Sequence, residues 1–221
     1  MRAVFLKQLE TLHSELILMA ALCEDAIRMA TKSLLDNNDF FVEKTCSLEC
    51  EINLKEREID DLCVKLLLRE QPVAGDFRKI TAAQRMIIDL ERIGDQATNI
   101  AKVSEQIKSH PIISKLHIHE MAIASIQMVS DSIDSFVEAD LAKAQAVIQY
   151  DDIVDALLDK VKKELVEWIL KDNSAAAVYL DLLLIAKYFE RIGDHAENIA
   201  EWVIYAITGE HRHIKQQENT K

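Results

Sequence analysis

Glu91-Arg92-Ile93-Gly94-Asp95-Gln96-Ala97-Thr98-Asn99-Ile100-Ala101 returns near the other end of the chain as Glu190-Arg191-Ile192-Gly193-Asp194-His195-Ala196-Glu197-Asn198-Ile199-Ala200. Two near-copies of this length make the chain an internal duplication. At about 100° per residue, Glu91, Asp95 and Asn99 share one helix face, and so do Glu190, Asp194 and Asn198. Carboxylates four apart on a helix repel by about 0.2–0.5 kcal/mol. A pattern that writes this repulsion twice calls for positive charge between the acids, either a metal ion or the side chain of an Arg or Lys.

Beside each acidic row runs an apolar one. Leu182, Ile185, Phe189, Ile192, Ala196, Ile199, Val203 and Ala206 follow steps of three and four, and Met86, Leu90, Ile93, Ala97 and Ile100 repeat the pattern in the first copy. Each copy is therefore a helix with a core stripe and an anionic ribbon. The ribbon is denser in the second copy, which has Glu190, Asp194, Glu197, Asn198 and Glu201; in the first, Thr98 and Lys102 stand where Glu197 and Glu201 would be. If cations bind, the two sites should differ. Gly94 and Gly193 sit mid-helix, where glycine costs about 0.5–1 kcal/mol relative to alanine. That cost points to a close approach, by a crossing helix or by a ligand.

Working outward, the same periodicity predicts a first helix over residues 2–35, with Phe5, Leu9, Leu12, Leu16, Met19, Cys23, Ala26 and Ala30 as its buried stripe. A turn at Asp36-Asn37-Asn38-Asp39 leads into a second helix over 40–70, with Asp39 placed as its cap. Gln71-Pro72-Val73-Ala74-Gly75-Asp76 ends that helix, because proline cannot continue it, and Asp76 is placed to cap a third, which runs to about residue 108. Ser109-His110-Pro111 marks the midpoint. Helices over 115–137, 141–170 and 175–207 repeat the scheme, with Asp140 in the place of Asp39, a turn at Lys171-Asp172-Asn173-Ser174, and Gly209 as the final stop. The expected fold is all-α: two tandem, pseudo-symmetric three-helix bundles, residues 1–110 and 111–209, followed by a polar tail, 210–221. Each helix would be about 45 Å long, and the halves should be related by an approximate two-fold.

The composition supports this class and narrows the function. The chain is 221 residues long and 49% hydrophobic with only four Gly and two Pro, so strands are not needed. No apolar run reaches the roughly 18 residues of a membrane span, and no signal-peptide layout opens the chain; a cytoplasmic protein is expected. A formal charge of −12 argues against nucleic acid and favours cations or basic protein surfaces. The four cysteines, Cys23, Cys46, Cys50 and Cys63, all lie in the first half inside helical patterns. Cys46 and Cys50 could share a face for a soft metal, but buried hydrophobes are the plainer reading. His211 and His213 belong to the tail.

Carboxylate and amide oxygens suit hard cations such as magnesium, manganese or iron. One helix cannot complete a coordination shell, so a neighbour must contribute. The second helix offers Glu49 and Asn53 and the fifth offers Asp151 and Asp155, again four apart, with Asp152 beside them. Primary candidates are Glu91, Asp95, Glu190 and Asp194; Glu49, Asn53, Asp151, Asp155, Asn99, Asn198 and Glu197 are secondary. The plainer alternative is that arginines pair with the acids. Arg92 and Arg191 can either brace them or lie on the surface. His195 faces about 100° away from Asp194 and reads as a neighbouring or surface residue. A di-iron metalloenzyme would want Glu-x-x-His on two helices, whereas Glu10-Thr11-Leu12-His13 has no repeat partner. No constellation for a nucleophilic enzyme is present.

Phe5, Met19-Ala20, Gln71-Pro72-Val73-Ala74, Asp76-Phe77-Arg78 and the doubled Glu-Arg-Ile-Gly-Asp together resemble the PhoU family of bacterial phosphate-transport accessory proteins, over nearly the whole chain. Phe77 departs from the family's usual Leu. The resemblance implies two similar three-helix bundles and a non-enzymatic role damping phosphate-starvation signalling, between the ATPase subunit of a phosphate ABC transporter and a phosphate-sensing histidine kinase. It further implies a homodimer, held at the inner face of the membrane through its partners. Some members bind iron or other metal clusters through acidic motifs whose counterparts here are Glu91/Asp95 and Glu190/Asp194. Iron, magnesium, manganese or zinc are thus the expected cofactors. A metal-free accessory of another phosphate permease is the remaining alternative.

Overall fold

The computed structural model describes residues 2–36, 38–70, 72–107 and 111–210. Among them are six α-helices: α1 (Arg2–Asp36), α2 (Asp39–Glu70), α3 (Ala74–Ile107), α4 (Ile118–Glu138), α5 (Leu141–Lys171) and α6 (Ala176–Thr208). The expected tail from His211 onward lies outside the described residues, as do Ser109 and His110 of the expected junction.

The fourth helix begins three residues later than its periodicity predicts. Ile113–Lys115 forms a 3-10 turn, and Leu116 is extended (φ −96, ψ 154) before α4 starts. Ile112, Ile113 and Leu116 are all buried, so the connection is itself part of the core. Ile113 and Leu116 stand three apart with Ser114 and Lys115 turned outward, so the stretch looks like helix in sequence. Two caps also move. Asn38 Oδ1, not Asp39, accepts the Phe40 N–H at 3.0 Å, and the Asn38 carbonyl accepts that of Phe41 at 3.0 Å. The third helix starts at Ala74, with the Phe77 N–H on the Val73 carbonyl at 2.9 Å, which leaves Asp76 inside the first turn. There its charge still suits the positive end of the helix. Asp140 caps α5 as expected, accepting from the N–H groups of Ala142 and Lys143. Gly209 ends α6 in the left-handed region, φ 79.

Helices α1, α2 and α3 pack on one another, as do α4, α5 and α6, and the two groups meet through α3 on α6 and α1 on α4. α3 and α6 run antiparallel and side by side: Arg78 lies against Gly209, Arg85 over the Trp202 ring, and Asp89 beside His195. Buried apolar side chains form one cluster running through both halves. The duplication extends to hydrogen bonds between different residue types. Cys23 Sγ donates to the Leu90 carbonyl at 3.3 Å, and Ser125 Oγ donates to the Phe189 carbonyl at 3.1 Å. In both halves the first helix thus grips the third one residue before its key glutamate.

The two mid-helix glycines mark close approach by the outer helices. A Cβ on Gly94 would lie 2.9 Å from Ile52 Cδ1 of α2, and one on Gly193 would lie 3.0 Å from Asp151 Oδ1 of α5. Alanine returns about 1 kcal/mol of helix propensity at either site, against an overpacking cost of about 1–3 kcal/mol where the neighbour cannot yield. Ile52 is fully buried and β-branched, whereas the Asp151 carboxylate can swing toward water. Gly94→Ala should lower stability by about 1 kcal/mol net, and Gly193→Ala should be close to neutral. Urea denaturation of both variants checks this; equal losses would contradict it.

Candidate functional site

The second half holds the more anionic cluster. Glu190 of α6 is only 8% exposed. Its Oε1 takes the Lys187 ammonium one turn earlier, while Oε2 has no hydrogen-bond partner. From α5, Asp151 places Oδ1 against the Gly193 backbone, where that atom is buried and also unpartnered. Asp151 therefore lies among Glu190, Asp194 and Glu197, with Asp155 one turn further along its own helix. Burial first, and then the charges of Glu197, Asp194, Asp155 and Glu190, push the Asp151 carboxyl up to about 7. Asp194 is raised too, by burial and Glu190, with Lys187 opposing. Close packing of carboxylates is thus relieved partly by a proton and partly by a lysine.

The first half solves the same problem differently. Arg92 reaches back to Glu91 at 3.4 Å and forward to Asp95 at 3.3 Å. From α2, the Asn53 amide donates to Glu49 Oε1, leaving the buried Asn53 Oδ1 without a partner. Burial, Asp95, Glu56 and Glu49 raise the Glu91 carboxyl, with Arg92 opposing. Glu56 belongs to this cluster although the sequence does not single it out. Its step from Asn53 continues the face of Glu49 and Asn53, a signal hidden by the many acids around it. Asn99 is half-buried one turn beyond Asp95.

Asn198 departs from the expected acidic row. Its amide donates to Asp89 Oδ1 of α3 at 3.4 Å, and His195 Nδ1 meets the same oxygen at 2.9 Å. Both residues serve the contact between the halves. Lys187 and Asp89 were missed because the duplication does not flag them: their counterparts are Ile88 and Tyr188. His13 packs edge-on against Phe136 with ring centroids 5.5 Å apart, and burial and Lys79 lower its pKa, so it acts as a packing residue between α1 and α4. Cys23 and Cys63 are buried, and burial pushes the Cys63 thiol up to about 12. Cys50 is raised by neighbouring Glu49. None of these three thiols is poised as a thiolate.

The donor set of the second cluster fits a hard cation. It offers oxygens only, from two helices, with two buried oxygen atoms lacking partners. Among the described residues no three His, Cys, Asp or Glu side chains converge as a finished metal shell would. The acids would have to turn inward, which their mutual repulsion resists until positive charge arrives.

A duplicated three-helix bundle with a carboxylate pair on the last helix of each half defines a class of all-helical proteins with a repeated acidic face; no described helix is long and apolar enough to cross a membrane. The PhoU domain model matches residues 16–104 and 118–203. A phosphate-specific transport system accessory protein PhoU homolog from Pseudomonas aeruginosa is 36% identical over 213 residues, covering 95% of this chain and 88% of that protein. The crystal structure of PhoU from Pseudomonas aeruginosa superposes with a TM-score of 0.84 at 33% identity, over 93% of this chain and all of the other. That of the phosphate transport system regulatory protein PhoU from Streptococcus pneumoniae gives 0.83 at 26% identity, over 93% of this chain and 98% of the other. The chain belongs to the PhoU family.

Folded Asp151 keeps its proton up to about pH 7, whereas an unfolded aspartate releases it near 3.9. Between those values the folded state binds more protons, so stability is greatest at the acid end and declines as pH rises toward 7. The urea midpoint of cation-free protein should be higher at pH 5 than at pH 8, and Asp151→Asn should remove much of the difference. An unchanged slope in that variant would refute the assignment.

Proposed function

We propose that this chain is a non-enzymatic regulator of phosphate uptake and phosphate-starvation signalling, working between a phosphate ABC transporter and a sensor histidine kinase. The observation that carries the reading is family membership across nearly the whole chain, with relatives named as accessory or regulatory proteins of phosphate transport. Those names also favour a role without catalysis. The kinase link, the homodimer and a cytoplasmic position at the membrane's inner face rest on the family resemblance. In this reading the ATPase subunit of the transporter and the kinase are the direct partners.

The same proposal assigns a cation to the acidic clusters, held by Asp151, Asp155, Glu190 and Asp194 in the second half and by Glu91, Asp95 and Glu49 in the first. Iron, magnesium, manganese and zinc all accept such oxygens. Bound there, a cation supplies fixed positive charge across the gap between the outer helix and the third helix of a bundle. Asp151, through its buried Oδ1, and Glu190, through Oε2, would be the residues that hold it. A metal-free accessory is the second reading, favoured by the internal neutralisation through Lys187 and Arg92.

The experiment is a pull-down of the transporter ATPase subunit and the kinase on the purified chain at high and low phosphate. Association that strengthens with phosphate is expected. No association with either partner at any phosphate level would overturn the regulatory proposal. Mass-spectrometric metal analysis of protein never exposed to chelator should find metal that falls at least severalfold in the Glu190→Ala, Asp194→Ala double variant. Wild type without metal would leave the metal-free reading standing.

A further inference from the structure

We propose that each acidic cluster carries its own resident competitor for the incoming cation, Lys187 in the second half and Arg92 in the first, and that the two competitors set different affinities at the two sites. The proposal rests on the cation-binding reading above.

Internal neutralisation occurs in both halves but comes from different positions of the duplicated helix. Lys187 stands three residues before Glu190, at a place occupied by Ile88 in α3. Arg92 directly follows Glu91, and its counterpart Arg191 is exposed, with no ion pair found for it among the described residues. Two solutions to one problem indicate that the acids cannot be left without a positive neighbour.

The two competitors differ in how they let go. The Lys187 side chain is 46% exposed, while the Glu190 side chain it meets is 11% exposed. A lysine on a flexible stem can keep its methylenes on the protein and withdraw its ammonium into water. A cation approaching Glu190 from its unpartnered Oε2 side therefore displaces one contact. Arg92, 55% exposed, spans two carboxylates, Glu91 at 3.4 Å and Asp95 at 3.3 Å, so a cation there must break two contacts, each longer than the one Lys187 makes. A planar guanidinium holds two acceptors in a fixed geometry that an ammonium does not. The second cluster also gathers five carboxylates, Asp151, Asp155, Glu190, Asp194 and Glu197, around the most strongly shifted of them. The first gathers four: Glu49, Glu56, Glu91 and Asp95. The larger carboxylate set favours the second cluster as the tighter site.

The test uses Mn²⁺ and the full-length chain stripped of metal, read by isothermal titration calorimetry and by loss of the free Mn²⁺ resonance signal. Lys187→Gln should tighten the stronger class of sites by about fivefold or more, the low end of typical coupling between sites, and Lys187→Arg, which keeps the charge, should not tighten it. Arg92→Gln should tighten the weaker class and leave the stronger one alone. Glu190→Gln should abolish the stronger class. A lysine that merely held the fold would lower affinity when lost, so a gain separates competition from damage. If wild type binds Mn²⁺ and Glu190→Gln abolishes that binding while Lys187→Gln leaves it unchanged or weaker, the competitor proposal is overturned and the cation reading stands. If neither wild type nor Lys187→Gln binds Mn²⁺, both fail.

Discussion

In the centre of the molecule α3 and α6 lie antiparallel, and each must satisfy three neighbours at once. One side of α3 takes α1, through Cys23 on the Leu90 carbonyl; another takes α2, through Ile52 beside Gly94; a third takes α6. The same division holds for α6, with Ser125, Asp151 and α3. A helix has only about 3.6 side chains per turn to share among these contacts. The acids are therefore confined to the seam beside the outer helix, where they are half-sheltered and close together.

Confinement turns a mild surface repulsion into a constraint. Fully solvated carboxylates four apart cost tenths of a kcal/mol, but burial removes the water that would screen them. The structure answers with two different cations, an ammonium on Glu190 and a guanidinium between Glu91 and Asp95, and the crowding that remains raises the pKa of Asp151. Glycine at 193 is part of the same solution, since only a missing Cβ lets the Asp151 carboxylate press against the helix backbone. In the first half the matching gap is filled by a methyl group of Ile52, which makes that cluster more hydrophobic at its base.

The six helices were legible because their apolar residues keep the helical period over about six to ten turns, and the duplication supplied the scheme twice. Where one local choice decided the outcome, legibility fell. Asn38 and Asp39 are both good caps and adjacent, so sequence could not rank them; Ile113 and Leu116 stand three apart, a spacing that passes for helix. At the site, Glu190, Asp194, Asp151 and Asp155 could be found because four-residue spacing appears on both helices that meet there. Asn198 shares that spacing yet turns to Asp89, since it lies a further 40° round the helix than Asp194. Asp89, Lys187 and Glu56 carry no such mark. Each earns its place through a contact with another helix or through a position its counterpart does not share.

Divergence between the halves is most telling at the two-fold itself. Exact copies would place the same pair of residues on either side of the α3–α6 contact. Here Asp89 meets His195 and Asn198, whereas the related positions are Tyr188, Gln96 and Asn99, and the buried Gln96 Oε1 has no partner. Of the residues related to this clasp by the duplication, only the asparagine is kept. Asp194, next to His195 in the chain, belongs to the acidic cluster, so charge entering that cluster acts within one residue of the clasp. The corresponding neighbour of Asp95 is Gln96, whose buried Oε1 has no hydrogen-bond partner among the described residues. The second cluster thus adjoins the contact between the halves through His195, a residue identity that the duplication did not preserve.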